Sequence, residues 1–206
     1  MSSGESGGRE SCGEPKIHGE ATALAPESLA LASAIGELLR AQGATLSTAE
    51  SCTGGLIGAL VTAIPGSSDY FLGGVVSYAN QVKEKILGVS TSTLANYGAV
   101  SRPCVEEMAS GVRRLIKTTY SVAVSGIAGP GGGTQDKPVG TVHFAVDSPV
   151  GDGASSLGGG AAGCILATGD REDIRRAAAH AALELLRQVL VERAKPPVGD
   201  GSDAKP

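Results

Sequence analysis

Ser51 and Cys52 stand side by side in the run Thr48-Ala49-Glu50-Ser51-Cys52-Thr53-Gly54-Gly55, between a short strand-like segment at 44–47 and an apolar, helix-like segment ending at Ile64. On a strand–turn–helix, a hydroxyl and a thiol lie beside the free backbone N–H groups of a helix N-terminus. That arrangement suits a bound anion or a developing oxyanion. The same residues have a plainer reading, with Ser51 or Thr53 as an N-cap and Gly54 and Gly55 permitting a tight turn. Local sequence alone favours the plainer one.

Two further segments carry chemistry. Tyr78-Ala79-Asn80-Gln81-Val82-Lys83 presents a phenol, an amide and an ammonium in one short stretch. If Asn80 caps a helix over 81–87, Lys83 falls one turn in, on the side of the residue that leads into the helix. A lysine acts as a general base only when burial or a nearby cation lowers its pKa. Taken alone, Lys83 reads as an ordinary exposed lysine beside Lys85, and Tyr78 as a core-edge aromatic. Ser125-Gly126-Ile127-Ala128-Gly129-Pro130 opens a glycine-dense loop that is neither a nucleotide P-loop nor a dinucleotide-binding glycine pattern. Its shape could hold a carbonyl or a ring. His18, His143 and His180 show no metal-ligand spacing. A Ser-His-Asp triad would need His143 or His180 to reach Ser51, and it ranks below a Ser51–Lys83 pairing.

The elements that must position these residues alternate. Helix signals begin at Pro26-Glu27-Ser28 and stop at Gly43. A strand at 44–47, the Ser51 turn and a helix over 53–64 follow, then a strand centred on Val75 and Val76, the short helix at 81–87 and a helical turn at 91–96. Ser101-Arg102-Pro103 reads as N-cap, N1 and N2 of a helix to Lys117. Strands are expected at 120–125, 139–146 and 163–167, the last two as an antiparallel pair. A final helix is expected over 170–193, with Ile174, Ala177, Ala178, Ala181, Leu185, Leu186 and Leu190 buried. The strands near Val75 and Val122 carry consecutive apolar residues, as in a sheet covered on both faces. The expected fold is therefore α/β: a single three-layer domain over 26–194, its central sheet mixed and mostly parallel, with helices on both faces. Residues 1–25 and 195–206 read as disordered tails and 148–160 as a flexible loop. The loops at Ser51, Tyr78 and Ser125 all leave strand ends and can share one crevice.

Composition narrows the function classes. The chain has 206 residues, net charge −4, 3% aromatics and no Trp. It lacks the basic surface expected of a nucleic-acid binder, and no apolar run is long enough to span a membrane. Cys12, Cys52, Cys104 and Cys164 form no CxxC pair and read as reduced thiols. The N-terminus shows neither a secretory nor a mitochondrial targeting pattern. A cytosolic protein acting on a small molecule is the expectation.

Five segments together resemble the CinA C-terminal domain family: Thr48 to Gly55, Val76 to Lys83, Gly98-Ala99-Val100-Ser101, Ser125 to Gly132, and Gly169-Asp170-Arg171. The resemblance runs from about Leu29 to Leu190. Stand-alone members are nicotinamide-nucleotide amidases, so it implies hydrolysis of nicotinamide mononucleotide to nicotinic acid mononucleotide and ammonia, in recycling of the pyridine nucleotide. It further implies a serine nucleophile with a lysine partner, no cofactor or required metal, and a homo-oligomer. Matched by motif, the serine is Ser51 and the lysine Lys83, with Tyr78 beside them. Cys52, Thr53, Gly54, Gly55, Asn80, Ser125, Gly126, Gly129 and Arg171 are the expected substrate-binding residues. Arg171 would either contact the substrate phosphate or lower the lysine pKa. Cys52 is an alternative nucleophile. Full-length CinA proteins carry another catalytic domain before this one, and only a short polar stretch precedes the motifs here, so that domain's activity is expected to be absent. Two other readings stay open: a non-catalytic nucleotide-binding or regulatory module, and a hydrolase of another small amide.

Overall fold

The structure is a computed structural model and describes residues 24–149 and 160–194. The expected tails, apart from Leu24 and Ala25, lie outside the described residues, as do residues 150–159 of the expected loop. The elements run α1 (Pro26–Ala41), β1 (Leu46–Glu50), α2 (Leu56–Thr62), a 3-10 turn (Ser67–Asp69), β2 (Phe71–Val76), α3 (Asn80–Leu87), α4 (Thr91–Tyr97), α5 (Arg102–Ile116), β3 (Tyr120–Gly126), β4 (Thr141–Asp147), β5 (Ala161–Leu166) and α6 (Arg171–Ala194). Local chemistry explains several boundaries. Gly43 takes a left-handed φ of 58° just past α1, and the Ser101 hydroxyl accepts the Cys104 N–H at the start of α5.

The five strands lie in the order β2-β1-β3-β4-β5. β1 is parallel to both β2 and β3, while β4 is antiparallel to β3 and to β5. Only β4 runs against the others, so the sheet is mixed and mostly parallel, as expected. One face is covered by α1, α2 and α6, whose Ile35, Leu39, Ile57, Leu183 and Leu186 pack with Val122 and Val124 in one buried cluster. The other is covered by α5 with α3, where Val105, Met108, Val112 and Leu87 pack with Ala49 and Ala123. The chain leaves β1 through α2 on the first face to reach β2, then returns through α3, α4 and α5 on the other to reach β3. The carboxyl end of β1 is therefore where connections depart to opposite sides, the place where α/β sheets form a crevice. Among the described residues no helix is long and apolar enough to cross a membrane.

Several expectations need correction. β1 covers Leu46–Glu50 rather than 44–47, so Thr48, Ala49 and Glu50 are strand and the turn begins only at Ser51. The α2 helix starts at Leu56, after Gly55 at a φ of 99°. Ala79, not Asn80, is the N-cap residue of α3, and Asn80 lies inside the helix. β3 is buried on both faces as expected, but β2 alternates between half-buried and exposed. The reason is position: β2 is an edge strand with only β1 beside it. On α6 the buried face is turned toward Ala179, Ala182, Leu183 and Val189, leaving Ala177, Ala181 and Leu185 half-buried. Packing on α1, marked by Ser28 Oγ against His180 Nδ1 at 3.0 Å, accompanies this rotation.

Candidate active site

A cavity of about 220 Å³ lies at the carboxyl end of β1, lined by Ser51, Cys52, Tyr78, Asn80, Lys83, Ala99, Val100, Ser125, Gly126, Ala128 and Arg171. The loops after β1, β2 and β3 meet there, joined by the α4–α5 corner and the start of α6. Of the residues expected from sequence, Ser51, Cys52, Tyr78, Asn80, Lys83, Ser125, Gly126 and Arg171 line this one space. Gly126 is at the wall for a steric reason. A Cβ on it would come within 2.8 Å of Val142 Cγ2, 2.9 Å of the Thr141 carbonyl oxygen and 3.1 Å of Cys52 Sγ. Gly129 does not line the cavity but gives its carbonyl to Arg171 Nη1 at 2.7 Å. Thr53, Gly54 and Gly55 stand behind the floor.

At the floor, Lys83 Nζ lies 3.0 Å from Ser51 Oγ, donating to it when charged. The same nitrogen donates to the Ser77 carbonyl at 2.6 Å and to the Tyr78 carbonyl at 3.4 Å. Lys83 is 1% exposed and Ser51 8%. Burial pulls the Lys83 pKa below the ordinary lysine range. Arg171 is not among the groups that shift it. An amine that keeps two N–H groups on two carbonyls turns its third position to Ser51. When the amine is neutral, that position is a lone pair. Cys52 is in the opposite condition. Burial, with a smaller push from Glu50, raises its thiol to about 11, so it is protonated near neutrality and a poor nucleophile. Neither His143 nor His180 lines the cavity; His180 is bound to Ser28 on the far side of α6.

The expectation that the α2 N-terminus leaves its N–H groups free is corrected. The Glu50 carboxylate, 2% exposed, fills that end. Its Oε2 accepts from Thr53 Oγ1 at 2.8 Å, Gly55 N–H at 3.0 Å and Ile57 N–H at 3.0 Å, and its Oε1 from Gly58 N–H at 2.8 Å. The Leu56 and Ala59 amides go to the Thr53 and Gly55 carbonyls, and the Gly54 amide to the Ser51 carbonyl. What remains in the turn is the pair of amides at Cys52 and Thr53. They have no carbonyl or carboxylate partner among the described residues and face the Cys52 sulfur. Of the two, Cys52 belongs to the cavity wall.

At the rim, Arg171 Nη2 donates to Tyr78 Oη at 2.9 Å, across 93 positions of sequence. Tyr78 is 60% exposed. Outside the cavity lining, Lys137 Nζ donates to the Tyr97 carbonyl at 2.7 Å and ties the segment after the glycine loop to the end of α4.

Sequence reading assigned no role to Glu50, Ser77, Ala99, Val100, Ala128 or Arg175. Glu50 had a signal, being the only charged residue between Arg40 and Asp69 and lying on an otherwise uncharged strand. The Ser77 carbonyl has no sequence signal, because any residue supplies one.

Fold and cavity define an α/β protein with a buried serine–lysine pair at the carboxyl ends of its parallel strands. The chain belongs to the CinA C-terminal domain family, whose profile matches residues 28–190. A CinA-like protein of Nostoc sp. is 51% identical over 167 residues, covering 79% of this chain and 39% of that protein. This chain thus spans about two fifths of the length of such curated relatives. Among solved structures, the competence/damage inducible protein CihA from Agrobacterium tumefaciens superposes with a TM-score of 0.76 at 39% identity, covering 82% of this chain and 99% of that one. A CinA superfamily protein from Escherichia coli gives 0.72 at 32% identity, covering 86% and 99%.

Proposed function

We propose that this chain hydrolyses the carboxamide of nicotinamide mononucleotide, releasing ammonia and nicotinic acid mononucleotide. The observation that carries this reading is the buried contact between Lys83 Nζ and Ser51 Oγ at 3.0 Å. Neutral Lys83, held by the Ser77 and Tyr78 carbonyls, takes the Ser51 proton as Oγ attacks the amide carbon. The oxyanion meets the Cys52 amide, which is next to the nucleophile and has no carbonyl or carboxylate partner among the described residues. The lysine ammonium then hands its proton to the departing ammonia, and water hydrolyses the acyl-enzyme with Lys83 again as base. The cavity, about 220 Å³, is smaller than the roughly 300–1,000 Å³ of pockets that enclose whole drug-sized ligands. It suits a pyridine ring with its carboxamide and leaves the ribose phosphate over the rim. There Arg171 retains N–H donors beyond the two given to Gly129 and Tyr78. Family resemblance also supports a homo-oligomer.

The test is incubation of the purified chain with nicotinamide mononucleotide, reading ammonia and the product mass. Equal amounts of ammonia and the nucleotide acid are expected from wild type, and neither from Ser51→Ala. Binding without ammonia would favour a sensing module. Ammonia from other amides but not this one would favour a different substrate. Near wild-type turnover in Ser51→Ala would end the serine-nucleophile account.

A further inference from the structure

Two side chains that stay outside the cavity converge on the residue behind it. Thr53 is fully buried. Its hydroxyl donates to Glu50 Oε2 at 2.8 Å, and its carbonyl accepts from Arg175 Nη2 at 2.8 Å. Glu50 reaches Thr53 from the β1 side, where the same carboxylate also takes the amides of Gly55, Ile57 and Gly58. Arg175 reaches it from α6, in a cleft shared with α1 and α2. Its other guanidinium nitrogen donates to Glu172 Oε2 at 2.7 Å, which sets its direction. Glu50 is further tied to the lysine side of the site, because its own carbonyl accepts the Ser77 N–H at 2.7 Å while the Ser77 carbonyl holds Lys83.

We infer that Glu50 and Arg175 are positioning residues for the reaction at Ser51. They grip Thr53 at its hydroxyl and its carbonyl, fixing that residue and the Thr53–Gly54 peptide, and so anchor the far end of the two peptide planes that follow Ser51. This has two effects. Ser51 Oγ is kept on Lys83 Nζ, and the Cys52 N–H is kept off the carbonyls and the carboxylate at the α2 end. The inference explains why a carboxylate is buried at this helix end. Free N–H groups there would draw the turn, or a bound anion, away from the nucleophile. With those donors satisfied, the Cys52 amide is left as the anion-binding group on the cavity wall. Neither side chain touches the substrate, so their effect is on geometry, and misplacement of reacting groups by about 1 Å is costly to rate.

The inference rests on the amidase reading for its kinetic arm and on the fold alone for its spectroscopic arm. Arg175 is the cleaner position to change, being half-buried on α6. Glu50→Gln is the second variant, because the amide keeps one acceptor oxygen but offers a donor where N–H groups converge, and it is used only if thermal unfolding shows it folds. For Arg175→Met, kcat for ammonia release from nicotinamide mononucleotide is expected to fall by about tenfold or more with KM within about twofold, and Arg175→Lys to recover most of the loss. In parallel, the Cys52 and Thr53 amide resonances are expected to move in Arg175→Met and to return toward wild type in Arg175→Lys. Unmoved Cys52 and Thr53 amides in Arg175→Met overturn the inference, as does a loss confined to KM. A wild-type chain that releases no ammonia sinks the amidase reading instead, and the amide resonances still decide this one.

Discussion

The floor and the rim of the cavity each hold one hydrogen-bonded pair, and the two pairs have almost the same length. Ser51 and Lys83 meet at 3.0 Å, Tyr78 and Arg171 at 2.9 Å. Their surroundings differ. Lys83 is 1% exposed, while Tyr78 is 60% exposed. In water an exposed pair exchanges readily for solvent and contributes about 1 kcal/mol or less. A buried amine has no such exchange, so burial acts on its protonation and on whatever shares its hydrogen bonds. Distance alone therefore does not rank the residues of this site; the environment does. On the proposed reading, the floor pair would carry the chemistry and the rim pair an adjustable contact with the ligand.

That division is open to direct attack. The largest effect is expected at the floor: Ser51→Ala and Lys83→Ala should each reduce amide turnover by about a thousandfold or more, and the double variant little further, since the two act as a unit. Steady-state kinetics on all three variants checks this, and additive losses would break the pairing. The next effect is in pH. Because the folded Lys83 pKa is lowered, kcat/KM should rise with pH and level off below the ordinary lysine value of about 10.4. Stability moves the same way. Between the lowered pKa and the ordinary one, the unfolded chain binds more protons at this group than the folded chain. Lys83 therefore destabilises the fold below its folded pKa, and that penalty lifts as pH rises through the window. Denaturant unfolding of wild type against Lys83→Met should show wild type gaining over the variant across that window. A difference independent of pH would mean that Lys83 keeps an ordinary pKa.

Smaller effects belong to the rim. Tyr78→Phe and Arg171→Ala should raise KM several-fold more than they lower kcat, with a coupling energy below about 1 kcal/mol in a double-mutant cycle. A Tyr78→Phe loss as large as that of Lys83→Ala would erase the contrast between floor and rim. The smallest effect is expected at Cys52. Its thiol is pushed up to about 11, so Cys52→Ala should lower turnover only a few-fold, and a thiol-selective alkylator should leave Ser51 chemistry in place. Loss of turnover on the scale of Ser51→Ala would move the nucleophile to the neighbouring residue.

Much of the fold was legible because its signals are local. The Ser101 cap, the stop at Gly43 and the apolar stretch of β3 depend on residues within a turn or a strand of one another. The motif segments also meet at one cavity, since loops leaving the carboxyl ends of parallel strands are gathered by the sheet itself. The exceptions have physical reasons. β2 reads like β3 in sequence, but its place at the sheet edge leaves it half covered. Glu50 looked like part of a turn because a charged residue rarely ends a buried strand. It can do so here only because four donors surround its carboxylate. Arg171 was legible as a motif residue, but the sequence left its two roles open. The structure puts it on Tyr78 and Gly129 at the rim, and burial alone is the main cause of the Lys83 shift.

What the sequence by itself determined is the kind of chemistry available and the elements that carry it: a hydroxyl after one strand, an amine one turn into the helix after another, a glycine-dense loop after a third. Helix periods, caps and strand runs are short-range, so they survive without knowledge of neighbours. The tertiary structure alone decided that Lys83 is buried, that its nitrogen meets Ser51 Oγ and two carbonyls, and that the α2 N-terminus is closed by Glu50 rather than left for a substrate. Protonation state and hydrogen-bond supply depend on which elements lie side by side, and that order is set by the whole sheet.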